Sequence, residues 1–138
     1  MPTTVILVRC GETLWDEQGR LLGHRDLGLT ERGRAQAAAA AASLDGLPLT
    51  ELLASPLGRA AETAEIIAKA CHLPLGRDPR LGDLHVGRWE GEVWSTLFSH
   101  PDLQEFWNGE SDQFPDGDDI EVARRRIVGS IEQAVADN

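Results

Sequence analysis

A chain of 138 residues and 15.0 kDa, with 41% apolar residues, is sized for a single domain with a real core. Thirteen basic against 23 acidic residues give a net charge of −10, a field that repels polyanions and argues against general binding to nucleic acid or an anionic membrane, while leaving room for a small phosphorylated ligand in a local basic pocket. No run approaches the about 18 apolar residues of a membrane span, residues 1–4 carry no basic group of a leader, and two cysteines, Cys10 and Cys71, suit a reducing, cytoplasmic setting.

In chain order, residues 5–8 (Val-Ile-Leu-Val) form a β-branched apolar run that predicts a buried parallel strand. A polar loop broken by Gly19, Gly23 and Gly28 follows. Thr30 is placed to cap a helix opening at Glu31, and the alanine run at 37–42 gives that helix a smooth, close-packing surface. Residues 52–54 predict a second strand ending at Ser55-Pro56, with a helix over 57–70. A third strand is predicted at 73–75, leading into the loop 76–79. A short helix is expected at 94–98, then a polar segment around Pro101 and Pro115. The last helix runs from Asp118 or Asp119 to about Ala136, with Ile120, Ala123, Ile127, Ile131 and Val135 on one stripe. Strands alternating with helices, without repeat or long linker, predict one α/β domain over 1–138.

The chemistry concentrates at two strand ends, where open α/β sheets form their ligand crevice. Arg9, Cys10, Gly11, Glu12 and Thr13 follow the first strand, and Arg59 stands on the first turn of the helix after the second. Two guanidiniums brought together this way grip a phosphate through charge-assisted hydrogen bonds. The plainer reading pairs Arg9 and Arg59 with neighbouring acids such as Glu12 or Glu62, and residue spacing leaves both readings open.

The order of these pieces resembles the histidine phosphatase superfamily, which includes cofactor-dependent phosphoglycerate mutases. Leu7-Val8-Arg9-Cys10-Gly11-Glu12-Thr13 is similar to its opening signature Leu-Val-Arg-His-Gly-Glu-Thr, and Gly23-His24-Arg25-Asp26 through Thr30 to the next segment. Ser55-Pro56-Leu57-Gly58-Arg59-Ala60, with Thr63-Ala64, resembles the second arginine motif. Leu81-Gly82-Asp83-Leu84 and Gly87-Arg88-Trp89-Glu90-Gly91 resemble the segment carrying the proton donor, and Phe114-Pro115-Asp116-Gly117-Asp118 a later turn. The resemblance spans about residues 4–135.

It implies a three-layer α/β/α fold with a mostly parallel sheet, and a strand-end histidine that takes up the phosphoryl group. Prearranged cations then stabilise the spreading negative charge, and an acid protonates the departing oxygen. Carried over, Arg9 and Arg59 are the phosphate clamps, Asp83 is the acid in place of the usual Glu, Thr13 and Gly23 line the pocket, and Glu12 supports it. No cofactor or metal is implied. Trp15, Trp89 and Trp94 are expected to pack the crevice wall, and His72, His85 and His100 to be surface or structural. His24 lies in the substrate loop, and Cys71 reads as a small buried apolar residue.

Three departures bear on activity. Cys10 stands at the nucleophile position; it reads either as a replacement that removes activity or as a thiolate nucleophile. Asp16 stands where the family has Asn, and an ionised carboxylate repels an anion instead of donating to it. The late strand that carries the family's second histidine is expected to be missing, leaving the domain incomplete at its C-terminal end and a sheet edge that a second copy would pair. The reading is therefore a phosphomonoesterase-type protein that binds a small phosphate ester with impaired catalysis. The alternatives are an active phosphatase working through Cys10 and mutase-like phosphoryl transfer.

Overall fold

Thr30 starts the first long helix: its hydroxyl accepts the Gly33 N–H, and Glu31 sits in the first turn, where it favours the helix dipole. The computed structural model describes residues 3–138, and helix α2 within it runs Glu31–Leu44. The short α1, Leu14–Glu17, precedes it within the predicted loop. Strand β1 is Leu52–Ala54, as expected, and it leads through Ser55-Pro56 into α3, Gly58–Cys71. Strand β2 covers Leu75–Arg77, two residues later than predicted, and pairs parallel to β1 with Leu52 opposite Leu75. His72 explains the shift. It ends α3 in the left-handed conformation at φ 55°, so the chain needs Leu73 and Pro74 to turn back before pairing.

Beyond β2 lie 3-10 turns at Pro79–Leu81 and Gly87–Trp89, then α4, Trp94–Leu97, α5, Pro101–Trp107, and α6, Ile120–Asp137. The polar segment around Pro101 is thus partly helical. Proline at the first helical position is compatible with a start there, and His100 accepts the Asp102 N–H as an unusual cap. Asp119 caps α6 through the Val122 N–H.

The protein is an α/β domain whose small parallel sheet carries α3 on one face, with α2 packed on α3. Ala41, Leu44 and Ile67 form one core cluster, with Leu52 and Cys71 packed against it; Cys71 is half-buried and reaches the Ala41 carbonyl. A second cluster gathers Val86, Trp89, Leu97, Leu103 and Phe114, where Trp89 stands edge-on to Phe114 at 5.5 Å. Trp89 is therefore a core residue, whereas Trp94 stacks near Phe98 at the surface. Among the described residues no helix is long and apolar enough to cross a membrane. The leader reading of residues 1–4 begins outside the described residues.

Residues 5–8 correct the first expectation. They form no strand: the sheet holds only β1 and β2, and Val5, Ile6, Leu7 and Val8 are 48%, 43%, 80% and 39% exposed. An apolar extended run becomes a strand only when its backbone groups find a ladder partner, and none is present among the described residues. These side chains instead line an open groove of about 320 Å³ with Leu52, Leu53, Ile127 and Ile131. The stripe of α6 consequently divides, with Ala123 buried and Ile127, Ile131 and Val135 facing that groove.

What fixes the loop after residue 8 is a contact between two glycines. A Cβ on Gly11 would stand 2.3 Å from the Gly33 carbonyl oxygen, and one on Gly33 would stand 2.2 Å from that of Glu12. Backbone meets backbone here, so no flexible side chain can yield. Gly33→Ala is expected to destabilise the protein by about 3 kcal/mol through overpacking. Helix propensity alone predicts the opposite sign, a gain of about 1 kcal/mol. The urea midpoint decides between them: an unchanged or raised midpoint would show that the contact is slack.

Candidate functional site

Arg59 is the second residue of α3, and its position follows from β1 ending at Ala54 and the turn through Ser55-Pro56. The side chain is 3% exposed, which is tolerable for a guanidinium only with partners. Its Nη2 donates to the Gly23 carbonyl at 2.8 Å and to Asp83 Oδ2 at 2.8 Å, and its Nη1 donates to the Arg25 carbonyl at 3.2 Å. A guanidinium carries five N–H donors. Three serve these contacts, leaving two for an anion. Gly23 is buried beneath this loop, and a Cβ there would stand 2.8 Å from Glu90 Oε2 and 2.9 Å from a Val86 methyl.

Arg9 follows the extended, unpaired run of residues 5–8 and is 77% exposed. Its Nη2 donates to Asp16 Oδ1 at 3.1 Å. The other oxygen of Asp16 accepts the Thr13 N–H and the Thr13 hydroxyl, both at 2.8 Å, and Thr13 itself is fully buried. Thr13 and Asp16 thus form a reciprocal capping box for α1. Burial pushes the Asp16 carboxyl upward, but the Thr13 N–H, the Thr13 hydroxyl and Arg9 outweigh it and hold it below the ordinary carboxylate range.

The loop after residue 8 and the start of α3 are joined through Thr63. Its hydroxyl accepts the Gly11 N–H at 3.0 Å and donates to the Arg59 carbonyl at 2.8 Å, tying the residue after Cys10 to the turn that carries Arg59. Cys10 is half-buried and unpaired with Cys71. Glu12 turns away from Arg9 and Arg59: its carboxylate accepts from Thr30 and Arg32, and its backbone N–H donates to Gln36 Oε1. Glu62 likewise serves Arg34 and the Leu29 N–H. Neither acid is a partner of Arg9 or Arg59; the partners are Asp16 and Asp83.

The structure therefore brings Arg59, Asp83 and Gly23 into direct contact, and Arg9, Asp16 and Thr13 into a second cluster. His24 borders the first cluster, with Nε2 2.7 Å from the Asp83 carbonyl and its ring edge-on to His85 at 5.1 Å. Arg126 also reaches the Asp83 carbonyl, at 2.8 Å. In sequence the basic run 124–126 is too short and too near the acids of 110–121 to suggest a nucleic-acid surface, and the reach of Arg126 from α6 appears only in three dimensions.

The sequence profile of the histidine phosphatase superfamily (branch 1) matches residues 5–138. This chain belongs to that superfamily. As a histidine phosphatase superfamily member it is 38% identical over 138 residues to a probable phosphoglycerate mutase GpmB of Erwinia tasmaniensis, covering 96% of this chain and 63% of the relative. It is 36% identical over 130 residues to the protein of the same description from Cronobacter sakazakii, covering 92% of this chain and 60% of that one. The chain thus spans little more than 60% of the length of the curated relatives it matches.

Among solved structures it is similar to Bacillus stearothermophilus YhfR, with a TM-score of 0.81 and 30% identity over 94% of this chain and 66% of the other. It is also similar to a mycobacterial glucosyl-3-phosphoglycerate phosphatase complexed with VO3, with a TM-score of 0.82 and 28% identity over 92% and 64%. These phosphoglycerate mutase-like neighbours establish the fold class expected from the sequence.

Proposed function

We propose that this superfamily member binds a small phosphate ester in the manner of a phosphomonoesterase, and that Cys10 leaves its catalysis impaired. The observation that carries the reading is Arg59: a buried cation with two donors to spare, held between a loop carbonyl and the carboxylate of Asp83. Preorganised positive charge in a site shielded from water is what phosphoryl transfer requires. A phosphate seated on Arg59 and Arg9 would take each guanidinium from its resting carboxylate. Asp83, released from Arg59, is then placed to take up the proton of the bound ester monoanion and pass it to the departing ester oxygen, while residue 10 supplies the attacking atom and the bond from phosphorus to the ester oxygen breaks.

The mycobacterial neighbour supports the ligand class, since it is described as a phosphatase and holds vanadate, a phosphate mimic. The GpmB relatives are described as probable mutases, which supports phosphoryl transfer in general. Hydrolysis is preferred because the mycobacterial neighbour, similar in fold, is described as a phosphatase. The sulfur of Cys10 stands closer to the backbone than an imidazole nitrogen would, and that shortfall in reach is the reason for impairment. The unpaired cysteines support a cytoplasmic setting.

The test is hydrolysis of a generic aryl phosphate, alongside orthovanadate binding by calorimetry, in the starting protein, Cys10→His and Cys10→Ser. The expected result is vanadate binding by all three and turnover only by Cys10→His. Turnover by the starting protein that disappears in Cys10→Ser would make Cys10 a working nucleophile and overturn the impairment. Failure of all three to bind vanadate would overturn the ligand class.

A further inference from the structure

We propose that Arg126 is the positioning residue for Asp83, holding the segment that carries this carboxylate so that it meets Arg59. The guanidinium of Arg126 extends from α6 and is spent almost wholly on main-chain oxygens of one segment. Nη1 donates to the carbonyls of Arg80, at 2.8 Å, and Gly82, and Nη2 donates to the carbonyl of Asp83 at 2.8 Å. Its remaining contact, Asp118 Oδ2 at 3.4 Å, leads to the same place. That oxygen accepts the His85 N–H at 2.9 Å, and the Asp118 N–H donates to the His85 carbonyl at 2.7 Å.

Residues 80–85 are therefore pinned from the α6 side by a planar fork whose donors match several carbonyls at once, a task a lysine ammonium performs less well. On the other side Arg59 takes the Asp83 carboxylate. The Asp83 carbonyl accepts from Arg126 and lies 2.7 Å from His24 Nε2, so the proton of the His24 ring belongs on Nε2 in this contact, a carbonyl being an acceptor only. Gly82 is buried under the fork, with its ideal Cβ position 3.9 Å from Arg126 Nη1. Asp83 is half-exposed and lies in a stretch with neither helix nor strand hydrogen bonds to fix it. Without Arg126, the contact between its carboxylate and Arg59 loses its outer support. The catalytic meaning of this arrangement rests on reading Asp83 as the proton donor.

The test reads the Arg59 contact itself, with no need for turnover. Hydrogen exchange of the Arg59 Nη protons is followed by nitrogen-15 NMR of the guanidinium groups in the full chain. Arg126→Gln is expected to accelerate exchange about tenfold, Arg126→Lys about threefold and Asp83→Ala about tenfold, because each weakens the same contact. In an Asp83→Ala background, adding Arg126→Gln is expected to change Arg59 exchange by less than about twofold. The backbone amide of Gly33, held by the Thr30 hydroxyl at 3.0 Å away from both Arg59 and this segment, reports on the rest of the fold and should stay unchanged. Arg59 exchange unaltered in Arg126→Gln would overturn the proposal. So would equal acceleration with and without the Asp83 carboxylate, since that is general loosening. Should Arg126→Gln fail to fold, Arg126→Lys against Asp83→Ala decides by the same comparison. Failure of vanadate to bind the starting protein would overturn the ligand reading and leave the exchange result standing, so the two failures are distinguishable.

Discussion

Arg59→Met is expected to lower orthovanadate affinity at least about 100-fold, from the loss of charge-assisted contacts each worth about 1.5–3 kcal/mol. The same change is expected to destabilise the fold by about 3 kcal/mol, because it strips the buried Gly23 carbonyl of its donor and leaves that of Arg25 short of one. Methionine keeps most of the stem's volume, so packing contributes little to the loss. Asp83 is half-exposed and can turn to water once its partner is gone, which limits the penalty. Arg34→Met is the control. Arg34 pairs with Glu62 at the surface, and its removal should change stability by less than about 1 kcal/mol and leave vanadate affinity untouched. Calorimetric titration and urea unfolding measure both effects. An affinity within threefold of the starting protein would show that the anion sits elsewhere.

Asp16→Asn is expected to act in the opposite direction, raising vanadate affinity about five- to tenfold. Asp16 places a negative charge 3.1 Å from the Arg9 guanidinium, so an incoming anion must displace one carboxylate and approach its charge. For an exposed pair, that interaction is on the order of 1 kcal/mol. Asparagine retains an oxygen to accept the Thr13 N–H, so the capping of α1 should weaken by only about 0.5–1 kcal/mol.

The same substitution changes the response to acid. The folded Asp16 carboxyl is held below its ordinary value near 3.8, so the unfolded chain binds a proton before the folded one as the pH falls. Its stabilising contribution is complete above the unfolded value and is lost as the pH drops through the lower folded value. Unfolding midpoints measured from pH 6 to pH 2 should therefore fall less steeply in Asp16→Asn. Affinity that stays level or drops in the variant would show that Arg9 is no part of the anion site.

Much of the candidate site was legible because its residues sit in contiguous motifs. Arg59 follows a strand and a Ser-Pro turn, Asp83 follows Leu-Gly, and Gly23 opens its own segment; the structure joins these three by hydrogen bonds. The partners of the arginines were not legible. Glu12 and Glu62 lie close to Arg9 and Arg59 in sequence, yet they are drawn off by Arg32, Thr30, Arg34 and Leu29 as α2 and α3 come together. Asp16 looked like a simple obstacle to an anion. Its capping box with Thr13 shows a structural task as well, which depends on α1 forming inside a stretch that reads as loop.

Composition and charge predict a domain-sized chain with room for a local basic pocket, the alternation of strands and helices gives the α/β class, and the motifs point to the superfamily and to most of the candidate site. Those features are carried by short-range patterns: helix caps, alanine runs, strand-end arginines. Tertiary structure alone decided which carboxylate faces which guanidinium and that Arg126 reaches Asp83 from another helix. It also decided that residues 5–8 lie exposed along a groove and unpaired in the sheet. The physical reason is common to all three. Backbone ladders and charge pairs are made between segments distant in the chain, and a residue's partner is set by what else competes for that partner in space.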